Sequence, residues 1–459
     1  MDIKLKKNEE YIVDIIDNGF SGEGIAKIDG FTVFVPNVLK GEKIKIKIVK
    51  VLSSHAFGKF LEFINKSENR VDVDCKTFNK CGGCTLRFTN YNNTLEMKKE
   101  AVLSVFKKNY GKEIEIDELI GMDNPYNYRN KLQYPIGMDV NGNPVMGVFR
   151  ERTHEIIETS CCLIQNKEAE EVALFIYDFI KNNNIKVYNE KTLKGSLRHV
   201  IVRIGVKTNE IMVTLVSNSK EIEKEAELVD AITKKFEKVK VIVKNINNKN
   251  TNVILGRENI VLYGTGYIHD YIGEFKFKIS PMSFYQVNPV QTEKLYGKAV
   301  EYADLSGNET VYDLYCGIGT IGIFASKNVK KLYGIETVPE AIEDAKFNAK
   351  LNNIENAEFF VGDVENVLPE FIKTTNELPD VIFIDPPRKG CDITALETIL
   401  KIEPKKLVYV SCNPATLARD VKILEEKYEL KKVSLVDMFP FTSHIECVSV
   451  LNLKTDINV

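Results

Sequence analysis

Cys412 closes the run Leu407-Val408-Tyr409-Val410-Ser411, an apolar stretch of strand character that Asn413-Pro414 terminates, and the residues after Pro414 turn helical. A thiol at the carboxyl end of a parallel strand faces the ligand crevice of a doubly wound sheet. There it is placed to act as a nucleophile if a cofactor and a proton acceptor stand beside it. Two carboxylates are candidates for those surroundings. Asp385 opens the rigid Asp385-Pro386-Pro387-Arg388 at the end of another predicted strand, and Glu446, in Ser443-His444-Ile445-Glu446-Cys447, begins the last one. If that last strand runs antiparallel, its beginning lies at the crevice, and a carboxylate screened from water beside a thiol is a competent general base. His444, two residues earlier, is the competing base. Alone, Cys412 has a plainer reading, since most intracellular cysteines are small buried hydrophobes.

A second set of thiols points to a metal centre. Cys75, Cys81 and Cys84 are spaced five and two residues apart with Gly82-Gly83 in the turn, and the adjacent pair Cys161-Cys162 follows much later. Four thiolates suit an iron-sulfur cluster or a tetrahedral zinc; the three-plus-one layout leans towards iron-sulfur, because zinc sites more often show two short pairs. Spacing does not say which of Cys161 and Cys162 is the fourth ligand.

These residues need elements to hold them. The chain has 459 residues, 44% hydrophobic and 28% charged, with a formal net charge of -3, enough for two to four domains with a sizeable core. No stretch approaches the roughly 18 uninterrupted apolar residues of a membrane span. The beginning, Met1 to Lys7, has no apolar signal core, so a cytoplasmic protein with reduced thiols is expected. The net charge does not announce a nucleic-acid binder, and the distribution of charge has to decide that.

Residues 1–65 read as five short strands, an OB-like barrel. Within it Lys43-Ile44-Lys45-Ile46-Lys47-Ile48 alternates strictly, so the lysine face could meet phosphates or guard a solvated edge strand. Residues 66–280 form a central α+β domain with the cysteines, including a helix over 94–110 that could pack on the last domain. Tyr126-Asn127-Tyr128-Arg129-Asn130-Lys131-Leu132 interleaves aromatics with cations, as base stacking and phosphate gripping require. From Lys181 to Lys207 there are seven Lys/Arg against the single acid Glu190, which suggests an RNA-facing sheet. His154, His199 and His269 are isolated and read as ordinary surface or core residues.

Residues 281–459 alternate strand and helix: Thr310 to Tyr315, Lys331 to Ile335, Ala357 to Val361, Asp380 to Ile384, Lys406 to Val410, Lys432 to Val436 and Glu446 to Leu453. This is a Rossmann-like α/β sheet. Gly317-Ile318-Gly319-Thr320-Ile321-Gly322 follows the first strand, which by itself suits a dinucleotide equally well. Glu336 and Asp363 end the second and third strands, where carboxylates can meet a ribose and an adenine. With Asp385-Pro386-Pro387 they look like a class I methyltransferase, whose cofactor is S-adenosylmethionine.

The wider set of motifs is more specific. Gly19-Phe20-Ser21-Gly22-Glu23-Gly24 with Phe31 to Asn37 resembles a TRAM domain, and Phe284-Tyr285-Gln286-Val287-Asn288, Asp385 to Gly390, Ser411 to Pro414 and His444 to Cys447 resemble the RNA uracil-C5 methyltransferases. With the TRAM domain and four cysteines, the chain is most similar to the iron-sulfur 23S ribosomal RNA branch, since the tRNA-specific branch looks different in lacking both. The resemblance implies a monomer acting on 23S ribosomal RNA, and a 4Fe-4S cluster on Cys75, Cys81, Cys84 and Cys162. It further implies cofactor contacts at Gln286, Tyr315, Thr320, Glu336, Asp363 and Asp385; Thr320 stands where relatives often carry Asn. Its chemistry needs a thiolate, Cys412, to add to uracil C6 so that C5 can attack the methyl group, and a base, Glu446, to take the C5 proton. Cytosine-C5 enzymes usually carry Pro-Cys where this chain has Pro386-Pro387-Arg388. Exocyclic-amine enzymes, or a noncatalytic iron-sulfur RNA-binding protein, would have no use for Cys412.

Overall fold

In the computed structural model, residues 5–375 and 377–455 are described; Met1 to Lys4, part of the N-terminal stretch scanned for a signal core, lie outside them. The strands that matter most form one eight-stranded sheet. Its spatial order is Ala357–Val361, Lys331–Glu336, Thr310–Leu314, Val381–Ile384, Lys406–Ser411, Glu446–Leu453, Tyr428–Val436 and Glu118–Ile120. The first five are parallel, and apolar runs such as Val381-Ile382-Phe383-Ile384, buried throughout, read as they do because helices cover both faces. The order reverses beside Thr310–Leu314, which opens a crevice at the carboxyl ends of the central strands. Glu446–Leu453 pairs antiparallel with both its neighbours, so its first residue lies at that same edge.

The edge strand Glu118–Ile120 and the helix Tyr91–Asn109 come from far upstream. The helix caps itself with the Asn90 side chain and presents Lys98 to the far end of the eight-stranded sheet. There the Lys98 ammonium meets the Asp437 carboxylate at 2.6 Å with side-chain exposures of 1% and 0%, and the Tyr91 hydroxyl donates to the other Asp437 oxygen at 2.7 Å. A buried pair tolerates the loss of one partner badly. Lys98→Ala should destabilise the protein by about 3–5 kcal/mol, read as a lowered denaturant midpoint, because it strands a buried carboxylate.

The N-terminal sheet, in the order Glu10–Asp14, Lys43–Val51, Ala56–Asn65, Phe31–Val35, Gly24–Ile28 and Asp17–Asn18, folds around Val13, Ile44, Ile46 and Ile48. Lys43–Val51 lies inside this sheet, hydrogen-bonded on both sides, so the edge-strand reading of its lysines does not hold. Lys45 is paired with Glu10 at 2.9 Å.

The central seven-stranded sheet runs Ile156–Glu158, Pro144–Phe149, Lys131–Met138, Leu197–Ile204, Ile211–Ser217, Val239–Ile246 and Glu258–Tyr263. Helices Lys167–Asn182 and Glu225–Lys235 cover one face. On the other, Met212, Val241 and Val243 share a core with Phe277, Tyr285 and Tyr296 from the C-terminal half. Sandwiched this way, Leu197–Ile204 is buried along its whole length and is not an open RNA-facing strand. Arg198 is consumed internally, donating to the carbonyls of Asn247 and Lys249 at 2.7 and 2.8 Å. Lys191 and Lys194 stay exposed.

Candidate active site

The chain turn after Thr310–Leu314 is built for close approach. Tyr315, Gly317 and Gly319 all take left-handed backbone angles, φ 64°, 56° and 80°; at Tyr315, which is not glycine, this is local strain at a turn on the crevice edge. The helix Thr320–Ala325 then presses on the first strand so tightly that a Cβ on Gly322 would lie 2.9 Å from an Asp313 carboxylate oxygen. Gly322 N–H donates to that oxygen at 2.8 Å, while burial first, and then Asp385 and Glu336, push the Asp313 carboxyl up to about 7.

Around this turn the sheet gathers the other carboxylates. Glu336, half-buried, accepts from Gly317 N–H at 3.2 Å and from Val338 N–H at 2.9 Å. Asp363 lies beyond the third strand and accepts from the Thr337 hydroxyl at 2.8 Å. Burial pushes Asp385 up to about 7. Thr320 shares a 3.0 Å hydrogen bond with the buried Tyr296 hydroxyl, and the Gln286 carbonyl accepts from Asn130 at 3.0 Å. Carboxylates therefore outnumber cations in the crevice, an electrostatic setting that suits a cationic ligand such as a sulfonium and leaves little reason to bind a pyrophosphate.

Cys412 and Glu446 meet through sheet register. Lys406–Ser411 pairs with Glu446–Leu453 up to Ser411↔Cys447, so Cys412 follows the last paired residue at the end where Glu446 begins its strand. Glu446 is 5% exposed, and its carboxyl is held well above the usual range by burial and then by Asp385, with Arg388 pulling the other way. The half-buried Cys412 thiol is pushed up to about 11, by burial, then Glu446, then Asp385, again opposed by Arg388. His444, the rival base, precedes the strand, is exposed, and packs edge-on against Phe439. Arg388, which in the sequence only distinguishes the motif from that of other enzyme classes, is a cation that acts on both Cys412 and Glu446. Its loop is pinned by the Asn413 side chain, which donates to the Arg388 carbonyl at 2.9 Å while capping the helix Pro414–Leu424.

A thiol this far up is neutral at pH 7 in the free protein. Alkylation of Cys412 by iodoacetamide, followed by peptide mass spectrometry, should rise about tenfold per pH unit between about pH 7 and 9. A flat profile would mean that the thiol is already ionised without help from any ligand.

The family model for tRNA (uracil-5-)-methyltransferases matches residues 90–454, and the TRAM domain model matches residues 4–61. The chain belongs to the tRNA (uracil-5-)-methyltransferase family. Relatives in this family include proteins named RNA methyltransferase from Clostridium acetobutylicum, 50% identical over 451 residues and 97% of each chain, and from Clostridium tetani, 46% identical over 456 residues and 99% of each chain. Among solved structures the chain is similar to the Pyrococcus abyssi tRNA (uracil-54, C5)-methyltransferase in complex with S-adenosyl-L-homocysteine. That match has a TM-score of 0.78 at 28% identity and covers 96% of this chain and 99% of the other. The fold expected of the sequence, a Rossmann-like methyltransferase sheet with an N-terminal TRAM domain, is the fold observed. The methyl donor of this family member is S-adenosylmethionine, and the open glycine turn and carboxylate-rich crevice fit a sulfonium cofactor.

The four cysteines of this family member occupy one neighbourhood. Burial pushes Cys84 up to about 12, with the charge of Cys162 next in weight and those of Cys81 and Cys75 contributing. Cys84 and Cys162 pack against Met122, Tyr128, Ile164 and Phe441, whereas Cys161 is exposed, so the fold turns Cys162 and not Cys161 towards the others. Among the described residues, no three His, Cys, Asp or Glu side chains stand close enough together to hold a metal ion. The cysteine loop touches the catalytic half: Leu86 N–H donates to the Phe441 carbonyl at 2.9 Å and Ser443 N–H to the Thr85 hydroxyl at 3.2 Å. No helix among the described residues is long and apolar enough to cross a membrane.

Proposed function

We propose that this enzyme methylates C5 of uridine in RNA through a covalent adduct between Cys412 and C6 of the base. The observation that supports the reading is the pairing Ser411↔Cys447, which brings the end of the Cys412 strand beside the beginning of the Glu446 strand, with Glu446 and Asp385 both acting on the Cys412 thiol. Uracil C5 is a weak nucleophile. Addition of the Cys412 sulfur to C6 moves electron density to C5, which takes the methyl group that S-adenosylmethionine supplies when bound. Glu446 then removes the C5 proton, the C5–C6 double bond re-forms, and the Cys412 thiolate leaves. The cofactor is held by Gln286, Tyr315, Thr320, Glu336, Asp363 and Asp385. Burial holds both Cys412 and Glu446 towards their neutral forms, and a positive charge at the crevice lowers the cost of ionising them. A stacked uridine has to leave its stack to reach this edge, with residues 1–65 and 66–280 gripping the surrounding RNA.

The substrate proposed is 23S ribosomal RNA. A second reading, tRNA, is favoured by the Pyrococcus abyssi tRNA enzyme, which matches 96% of this chain, so a barrel on this plan does not by itself separate the two substrates. Purified enzyme given labelled cofactor with 23S transcripts and, separately, tRNA transcripts decides between them. 5-Methyluridine in the 23S digest supports the first reading and in tRNA alone the second; methylated cytidine or adenosine as the sole product overturns both.

Cys75, Cys81, Cys84 and Cys162 would hold a 4Fe-4S cluster, whose part is to draw the loop around Cys84 together and so brace the Phe441 to Ser443 segment that leads into Glu446. Anaerobically prepared protein should contain about four iron and four sulfide per chain; stoichiometric zinc without sulfide would refute the cluster.

A further inference from the structure

Three cations meet at the junction of the central sheet with the catalytic half, and among the described residues no carboxylate pairs with them. Lys131 and Arg203 are direct partners across the antiparallel pair Lys131–Met138 and Leu197–Ile204, so their side chains leave the same face of the sheet. Their neighbours Leu132 and Val202 point the other way, into the helix-covered core, which directs Lys131 and Arg203 towards the catalytic half. Arg129 stands two residues before Lys131, its strand-like backbone bridged to Gln165. Arg203 is 4% exposed and forms the floor of this junction, while Lys131 and Arg129 are half-buried at its mouth.

The cluster is short of acceptors. One Arg203 nitrogen donates to the Ser283 carbonyl at 3.2 Å, but its Nη1 and the Arg129 Nε are buried without a partner among the described residues. Burial, then Arg203, then Arg129, hold the Lys131 ammonium down to about 8, and burial holds Arg203 down to about 10. Like charges gathered out of water with unsatisfied N–H groups are costly to keep unless an anion joins them. The Arg203 partner Ser283 begins the segment that carries the buried, unpartnered Tyr285 hydroxyl and the cofactor contact Gln286, so the cluster borders the crevice. The crevice itself is lined by the carboxyl groups of Asp313, Glu336, Asp385 and Glu446, whereas the corner beside it is cationic, and there an anion can rest.

We propose that Arg129, Lys131 and Arg203 form the seat of one RNA phosphodiester beside the nucleotide whose base enters the crevice. This rests on the reading of the crevice as an RNA methylation site. The seat would fix the backbone while the base leaves its stack, and it offers planar guanidinium forks matched to phosphate oxygens.

The test uses the full-length enzyme, a 23S ribosomal RNA transcript with a tRNA transcript run alongside, and the variants Lys131→Met and Arg129→Gln. The seat predicts binding weaker by about tenfold or more for the RNA that the wild type binds better, and a slope of log K against log salt shallower by about one for each variant. S-adenosylhomocysteine affinity should stay within about twofold and the melting temperature should not fall. Phosphate-ethylation interference should show one strong position on the wild type that Lys131→Met loses. Unchanged RNA affinity and salt slope would overturn the proposal. So would a parallel loss of S-adenosylhomocysteine affinity, which would make the anion the cofactor's carboxylate, or interference spread evenly over many phosphates. Because every readout is binding, a wrong choice of methylated base leaves this result interpretable on its own.

Discussion

Cys412→Ala is expected to yield no detectable 5-methyluridine, a loss on the order of 10⁴-fold or more, as is usual when a covalent nucleophile is removed from a working set. Without addition to C6 the C5 position has no carbanion character, and neither proximity to the methyl donor nor the base can substitute for it. The loss should fall on turnover alone. Cys412 is half-buried after the last ladder pair and is not among the core residues that hold the sheet, so S-adenosylhomocysteine binding and the melting temperature should stay near wild type. A Cys412→Ala variant that still methylates uridine within about a hundredfold of wild type would place the nucleophile elsewhere.

Glu446→Gln should fail later and visibly. The amide keeps the shape of the carboxyl in its buried position but cannot accept the C5 proton, so addition and methyl transfer proceed while elimination stalls. The RNA should remain attached to Cys412 and survive on a denaturing gel as a slower band whose mass equals enzyme plus methylated RNA. Double substitution with Cys412→Ala should abolish the band. If Glu446→Gln turns over within about fivefold of wild type and no band forms, another group takes the proton, and the exposed His444 becomes the one to substitute next.

The parts of this site that lie next to their own strands were legible in the sequence. Apolar runs such as Val381 to Ile384 and Leu407 to Val410 announce buried parallel strands, and Asp385 and Cys412 follow them directly, so local pattern fixes their edge. The placement of Glu446 needed one fact more, the antiparallel direction of the last strand, which the fold class supplied and the pairing bears out. What could not be read depends on partners far away in the chain. Three residues, Glu118 to Ile120, are too few to show a period, and they are a strand only because Tyr428–Val436 offers an open edge. Arg203 looked like a surface cation because composition does not record which side of a strand another domain will cover. Lys98 was counted within an ordinary amphipathic helix, since nothing near it announces a buried carboxylate 339 residues later. Lys43 to Lys47 alternate in the same way on an edge strand and on an interior strand with one solvated face, and only the flanking pairs distinguish the two.

The long reach from Tyr91 and Lys98 to Asp437 also governs how the molecule comes into being. Tyr91 and its carboxylate partner are 346 residues apart, and synthesis at about 5–20 residues per second separates their appearance by roughly 17 to 70 seconds. Until the end of that interval Glu118–Ile120 has no strand to pair with, and Tyr91 and Lys98 wait for Asp437. The barrel and the central sheet, whose contacts lie closer together in the chain, can fold while the ribosome is still at work. The crevice is therefore the last part of the enzyme to exist, completed when a late loop returns to an early helix, and a nascent chain paused before Asp437 carries the Lys98 ammonium without its carboxylate.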